Sequence, residues 1–228
     1  MPDRLALIGD VHANSDALRA VLDAVYAAGI RNGVCTGDLV MRGDDPEACV
    51  TTVRRTGWPC VMGNTDRKVA MRPRRDPGHP KASRVGSRAW STNQLSAANL
   101  EYLAALPLVV RVKFRGHVIL LMHGGPDDPR DAIGAETSDK DLARLVTALG
   151  SPDCVVSGHT HRALVRTAGG CLFVNPGSIG EAIDGDRRPR WGWLEAGESG
   201  LRAHLEIIPE DLATIRTPPP EAGAGGPP

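Results

Sequence analysis

Two pairs of metal-competent side chains, each placed just after an apolar run, constrain this chain more than any other feature. His159 and His161 follow Cys154-Val155-Val156 within Gly158-His159-Thr160-His161, and Asp10 and His12 follow the apolar run 5–8 through Gly9. In an extended backbone residues i and i+2 point to the same side, so each pair is able to reach one point in space. One His beside a glycine turn is usually a solvated loop residue. Two such pairs, each at the carboxyl end of an apolar strand, point to a metal site assembled from distant parts of the chain.

The order of elements predicts where that site lies. Strand 5–8 leads into a helix over about 14–28, in which Leu18, Val21, Leu22 and Val25 recur at helical spacing and Gly29 supplies the stop. A strand at 34–36 ends in Gly37-Asp38, Pro46 opens a helix to about 55, and a third strand, 60–62, ends in Gly63-Asn64-Thr65-Asp66. This β-α-β-α-β order predicts a parallel sheet with polar residues gathered beyond the carboxyl ends of its strands. A helix over 91–106 follows, then a hairpin of 109–114 and 118–122 that ends in His123-Gly124-Gly125. Beyond a helix at about 138–149 come strands at 154–156, 163–166 and 172–174, and an antiparallel pair near 191–194 and 202–208.

Composition narrows the class. At 228 residues the chain suits one α/β domain, taken as 1–210. Its formal net charge is zero, so no global field favours long nucleic acid or a membrane surface. Five cysteines without C-x-x-C spacing argue against a disulfide framework. The absence of an 18-residue apolar run or a signal-peptide pattern gives a cytoplasmic expectation. Residues 67–88 hold eight Lys or Arg against one acid, Asp76, and 67–90 is expected to form a lid or rim that attracts an anion, with a solvated loop as the plain alternative. Residues 217–228 contain only Thr, Pro, Glu, Ala and Gly and are expected to form a disordered tail.

Five strand ends carry candidate ligands: Asp10 with His12, Asp38, Asn64, His123, and His159 with His161. Four of the seven histidines occupy these ends, a concentration that scattered core or surface histidines would not give. Seven ligands exceed the four of a tetrahedral zinc and suit two divalent ions sharing a carboxylate. Such a pair, roughly 3.5–4 Å apart, holds a hydroxide and clamps the oxygens of an in-line displacement at phosphorus. The mixed carboxylate, amide and imidazole set favours Mn2+ first, with Fe, Zn, Ni or Mg after it, over Ca2+.

The series G-D-x-H-x-N, G-D, G-N-x-D, H-G and G-H-T-H, closed by Asn175-Pro176-Gly177-Ser178, resembles the calcineurin-like metallophosphoesterase superfamily and its small bacterial and archaeal phosphodiesterase branch. The resemblance covers about 5–208. It implies a four-layer α/β/β/α sandwich, two mixed β-sheets flanked by helices. By position it makes Asp10, His12 and His161 ligands of a first metal, makes Asn64, His123 and His159 ligands of a second, and makes Asp38 the bridge. Asp66 becomes an orienting residue. Asn14 is a phosphate contact or the N-cap of the first helix, Thr65 and Arg67 are substrate contacts, and Ser178 and Asn175 shape the rim. His79, His117 and His204 fit no motif.

One departure bears on mechanism. Many members have G-N-H-D in the third motif, whose His protonates the leaving group; Thr65 stands there in this chain. Either substrates with acidic leaving groups are favoured, or a residue such as His79 supplies the proton. The expected activity is metal-dependent hydrolysis of small nucleotide or aryl phosphodiesters. A phosphomonoesterase or protein phosphatase on the same site, and a catalytically silent scaffold, are the alternatives.

Overall fold

The computed structural model describes residues 4–74, 80–198 and 200–209. In chain order it comprises β1 (Arg4–Ile8), α1 (Ser15–Ala27), β2 (Gly33–Cys35), α2 (Pro46–Thr56), α3 (Asn64–Ala70), α4 (Pro80–Ser83), α5 (Arg88–Gln94) and α6 (Ala97–Ala105). The second half adds β3 (Val109–Phe114), β4 (His117–Met122), α7 (Asp139–Ala148), β5 (Cys154–Val156), β6 (Leu164–Ala168), β7 (Cys171–Asn175), β8 (Arg190–Gly197) and β9 (Gly200–Ile207).

Alternation along the strands builds the layers. Ala6 and Ile8 of β1 face the helices α1, α2 and α3 through Leu18, Val21, Val50 and Val69, while Leu5 and Leu7 face the other way. They meet Ile119 and Leu121 of β4, Cys154 and Val156 of β5, and Val174 of β7. The opposite faces of those strands carry Leu120, Met122, Val155 and Phe173, which pack on Leu142 and Val146 of α7. Three apolar layers therefore separate four layers of secondary structure, helix–sheet–sheet–helix. Each fully buried Leu or Ile contributes on the order of 1.5–3 kcal/mol, so the side-chain period of two is enough to fix which face each strand shows to its neighbours.

Both sheets are mixed. The first runs β2-β1-β8-β9 and the second β3-β4-β5-β7-β6. β1 lies parallel to β2, with Ile8 opposite Cys35, and antiparallel to β8, with Leu5 opposite Leu194. The parallel pairing expected from the N-terminal order holds for β1 and β2, and the expected C-terminal antiparallel pair, β8 and β9, completes that sheet as a mixed one. The expected third strand at 60–62 shrinks to one bridge between Cys35 and Cys60. The Met62 N–H goes instead to the Pro107 carbonyl, at 2.8 Å, although Val61 stays in the inter-sheet layer.

The helix expected over 91–106 is two helices. Leu95 and Ser96 are extended, the Ser96 side chain accepts the Asn99 N–H to start α6, and the Ser96 N–H reaches Glu47 of α2 at 2.9 Å. A serine followed by two alanines and an asparagine is an N-cap, and here it outweighs the continuous Leu periodicity. The tail 217–228, His79 and part of the basic segment (75–79) lie outside the described residues.

Candidate metal centre

The carboxyl ends of β1 and β2 in one sheet meet those of β4 and β5 in the other along one rim. Backbone bonds stitch the loops there: Asp10 N–H to Gly37 O at 2.9 Å, His12 N–H to Asp38 O at 2.9 Å, and Gly158 N–H to His123 O at 2.7 Å. Glycine is required where the loops touch. A Cβ on Gly63 would stand 2.1 Å from Asp38 Oδ1, and one on Gly158 would stand 2.6 Å from Asp10 Oδ2.

The pairs converge by a different route from the extended backbone expected. Asp10 and His12 both have φ 49°, Asp38 has 52°, and His159 and His161 have 67° and 56°. Five of the seven expected ligands are therefore left-handed. For residues other than glycine this conformation costs about 1–2 kcal/mol each, and such strain gathers at functional sites. The turns, rather than strand pleating, aim i and i+2 at one point.

All seven expected ligands come together. Ligand atoms of Asp10, His12 and His161 lie within 4.8 Å of one another, as do those of Asp10, Asp38 and His123, and all five residues are buried. Asp38 Oδ2 lies 3.7 Å from His12 Nε2 and 3.5 Å from His123 Nε2, while its Oδ1 accepts the Thr65 N–H at 2.7 Å. Asn64 Oδ1 lies 3.2 Å from His123 Nε2 and 2.8 Å from His159 Nδ1. His12 Nε2 and His161 Nε2 face each other at 3.0 Å.

The donor set fits a metal. The Thr36 carbonyl accepts from His123 Nδ1 at 2.7 Å, and the Glu181 carbonyl accepts from His161 Nδ1 at 2.6 Å. A carbonyl only accepts, so each ring places its single neutral-state proton at Nδ1 and turns the Nε2 lone pair inward. For His123 that lone pair meets an amide oxygen and a carboxylate: acceptors facing acceptors, which a cation reconciles. The acidic residues draw positive charge, as a proton or a cation, toward two of the four rings. Burial by itself depresses His123, but Asp38 and Asp10 bring it above the ordinary value, and in His161 burial likewise yields to Asp10. Burial prevails in His12 and His159, which fall below it. Burial opposes the ionised form of Asp38, yet the His123 and His12 charges hold its carboxyl below the usual range.

Asp66 sits one layer back. Its Oδ2 accepts N–H bonds from Asp38 at 2.8 Å and Gly63 at 3.0 Å, and its Oδ1 accepts one from Leu39 at 2.8 Å. Burial and the Asp38 charge push its carboxyl up to about 7 against those donors. The other expected contacts are placed as follows. The Asn14 side chain accepts the Ala17 N–H at 3.1 Å, as an N-cap. The Thr65 hydroxyl is buried and donates to the Val40 carbonyl at 3.0 Å, away from the cluster. Arg67 is exposed on α3. Asn175 donates to the Gly158 carbonyl at 2.7 Å, and the Ser178 hydroxyl donates to the Asp10 carbonyl at 2.8 Å, so both brace the ligand loops from below. His117 and His204 stand apart, against Asp153 and Glu195.

Sequence reading missed Glu181 and Arg42. The Glu181 carboxylate pairs with the Arg42 guanidinium, and its Oε2 is 3.9 Å from His12 Nε2. The available signal was the S-x-x-E spacing from Ser178, whose Oγ accepts the Glu181 N–H at 2.8 Å.

Two mixed sheets between helices, with a buried imidazole–carboxylate cluster on their shared rim, define a metal-binding α/β class of protein. A match of residues 4–195 to the model of the calcineurin-like phosphoesterase superfamily domain places the chain in that superfamily, to which it belongs. The uncharacterized protein MJ0912 of Methanocaldococcus jannaschii is 29% identical, covering 79% of this chain and 78% of that protein. Among solved structures, a metallophosphoesterase from Sphaerobacter thermophilus is 27% identical with a TM-score of 0.73, covering 94% of this chain and 98% of its own. The hypothetical protein PH1004 of Pyrococcus horikoshii has the same fold, with a TM-score of 0.76 at 16% identity over 92% of this chain and 95% of that one. No helix among the described residues is long and apolar enough to cross a membrane.

Proposed function

We propose that this protein hydrolyses phosphate esters with two divalent ions, and that small phosphodiesters, nucleotide or aryl, are its substrates. The observation that carries this reading is Asp38. One oxygen is tied to a backbone N–H, and the other stands between an imidazole from each half of the cluster, 3.7 and 3.5 Å away. That is where a bridging carboxylate belongs. Asp10, His12 and His161 would hold one ion, and Asn64, His123 and His159 the other. When bound, such a pair activates water near neutral pH and polarises phosphoryl oxygens. Manganese suits this borderline oxygen and nitrogen set best.

The chain's own residues supply orientation. Thr36 and Glu181 carbonyls fix the tautomers of His123 and His161, and Asp66 holds the Asp38 and Leu39 backbone in place. Arg42 and Arg67 bring positive charge toward an anionic ester. With the Thr65 hydroxyl committed to Val40, no acid stands at that position to protonate a leaving group, which favours aryl over alkyl esters. Five free, buried cysteines support a reducing compartment, the cytoplasm.

The test is a manganese titration of metal-stripped protein together with hydrolysis of an aryl phosphodiester. Wild type should bind two ions per chain, His161→Ala and His123→Ala one each, and only the two-metal protein should turn over. Two bound ions without turnover on any aryl ester or dinucleotide would leave a scaffold and end the enzyme reading.

A further inference from the structure

Glu181 has no place in the expected ligand set, yet its carboxylate stands inside the site. Oε1 pairs with the Arg42 guanidinium. Oε2 is shielded from solvent, has no hydrogen-bond partner, and lies 3.4 Å from His161 Nδ1 and 3.9 Å from His12 Nε2. The His161 Nδ1 proton is already engaged by the Glu181 carbonyl, so it does not satisfy that oxygen. A buried, unpaired carboxylate oxygen close to Asp10 and Asp38 is costly unless cations flank it. Arg42 is one such cation; the ions of the centre would be the other.

The backbone around both residues is closely packed and hydrogen-bonded, while the side-chain pair is part-exposed. The Glu181 N–H is held by the Ser178 hydroxyl oxygen, and the chain at Gly180 packs so closely that a Cβ there would stand 2.0 Å from the Val11 carbonyl oxygen. Arg42 is left-handed at φ 73°, its N–H donates to Gly86 O at 2.7 Å, and a Cβ on Gly86 would stand 2.3 Å from Arg42 O. The Glu181 side chain keeps 30% of its surface and that of Arg42 keeps 50%. A guanidinium–carboxylate pair so exposed is weak and exchanges easily. A phosphodiester carries the same single negative charge as the carboxylate and presents two oxygens to a guanidinium in the same forked geometry.

We propose that the Glu181 carboxylate is an internal occupant of the anion subsite between Arg42 and the His12–His161 end of the centre, and that a monoanionic phosphate ester binds by displacing it. This rests on the phosphoesterase reading and deepens it. Charge-for-charge exchange makes the diester the cheaper guest, because a dianion would crowd Asp10 and Asp38.

Calorimetric titration of the phosphate diester dimethyl phosphate, a monoanion at every working pH, into the manganese-loaded protein tests the proposal, alongside manganese titration of the stripped protein. Glu181→Gln and Glu181→Ala both keep the backbone groups that close the loop. Each should bind the diester about tenfold tighter than wild type, a change of about 1.4 kcal/mol, with manganese affinity unchanged within about threefold. Diester binding equal to or weaker than wild type in both variants overturns the proposal and leaves the phosphoesterase reading standing. A tenfold loss of manganese affinity makes Glu181 a ligand and also overturns it. If the diester binds to no form while two ions are bound, the subsite proposal falls, and turnover of an aryl diester decides the phosphoesterase reading separately.

Discussion

Asp66→Ala separates an orienting residue from a ligand. The wild-type carboxylate accepts three buried backbone N–H bonds, from Asp38, Leu39 and Gly63, which join the loop after β2 to the start of α3. Alanine leaves three donors without acceptors at a site with no exposed surface. Hydrogen bonds to a charged group contribute about 1.5–3 kcal/mol each. Burial and the Asp38 charge disfavour the ionised carboxylate and offset part of that gain, so the variant should lose roughly 2–4 kcal/mol of the 5–15 kcal/mol typical of a domain. For a domain of this size each kcal/mol moves Tm by about 2–4 °C, so a fall of about 5–15 °C is expected. The assay is urea and thermal unfolding of metal-stripped protein in chelator at pH 8. There the anion is the species tested, because burial and the Asp38 charge raise the carboxyl to about 7. Asp66→Asn keeps the shape and one acceptor oxygen and should lose about half as much. Manganese affinity should also fall, about 10–100-fold, because the Asp38 backbone loses its anchor. A stripped Asp66→Ala protein within 1 kcal/mol of wild type, but unable to bind metal, would show that Asp66 coordinates the ion and would refute this reasoning.

Three further outcomes follow from the same geometry. Gly63→Ala places a Cβ 2.3 Å from the Asp38 N atom and should reduce manganese affinity at least tenfold while leaving α1 and α7 folded, as circular dichroism and metal titration would show; wild-type affinity would mean the loops have slack that the structure does not show. All five thiols are buried, with Cys60 raised by its contact with Cys35 and by burial, Cys49 and Cys154 raised by burial, and Cys171 pushed by burial to about 11. A disulfide reagent at pH 8 should therefore modify less than one thiol per native chain within minutes and five in denaturant; rapid native reaction would contradict that burial. With no acid at Thr65, exchanging a nitrophenyl for a phenyl leaving group in an aryl diester should lower kcat by about 10²-fold or more, and a rate indifferent to the leaving group would point to a proton donor elsewhere.

The strands were legible as short apolar runs, whereas their stacking into four layers was implied only by the resemblance to a known superfamily. Runs such as 5–8 and 118–122 are apolar at every position, so they mark strands buried on both sides without saying which side chains face which layer. The ligand residues were legible because imidazoles and carboxylates beside glycines at strand ends are rare by chance. Pairing was less visible. Nothing local in 190–197 says that β8 lies antiparallel beside β1 rather than beside β4, since that choice is made by tertiary packing. The break at Ser96 was written in the chain as an N-cap but was masked by leucines at helical spacing on both sides of it. Glu181 was hidden for another reason: its contact with Arg42 spans 139 positions, and exposed charges look alike in sequence.

The left-handed residues explain why the cluster needs so much buried support. Asp10, His12, Asp38, His159 and His161 would each relax toward φ below zero if released, and together their strain approaches the net stability of an ordinary domain. What opposes release lies outside the ligand set. The Asp10 carbonyl is held by Ser178, the Asp38 N–H by Asp66, the His159 N–H by the Asp10 carboxylate at 3.2 Å, and the His161 ring by the Glu181 carbonyl. Each restraint comes from a segment remote in sequence, so the site forms only once both sheets have met. These restraints are all made by protein groups, so metal-stripped protein is the object on which their contribution is to be tested.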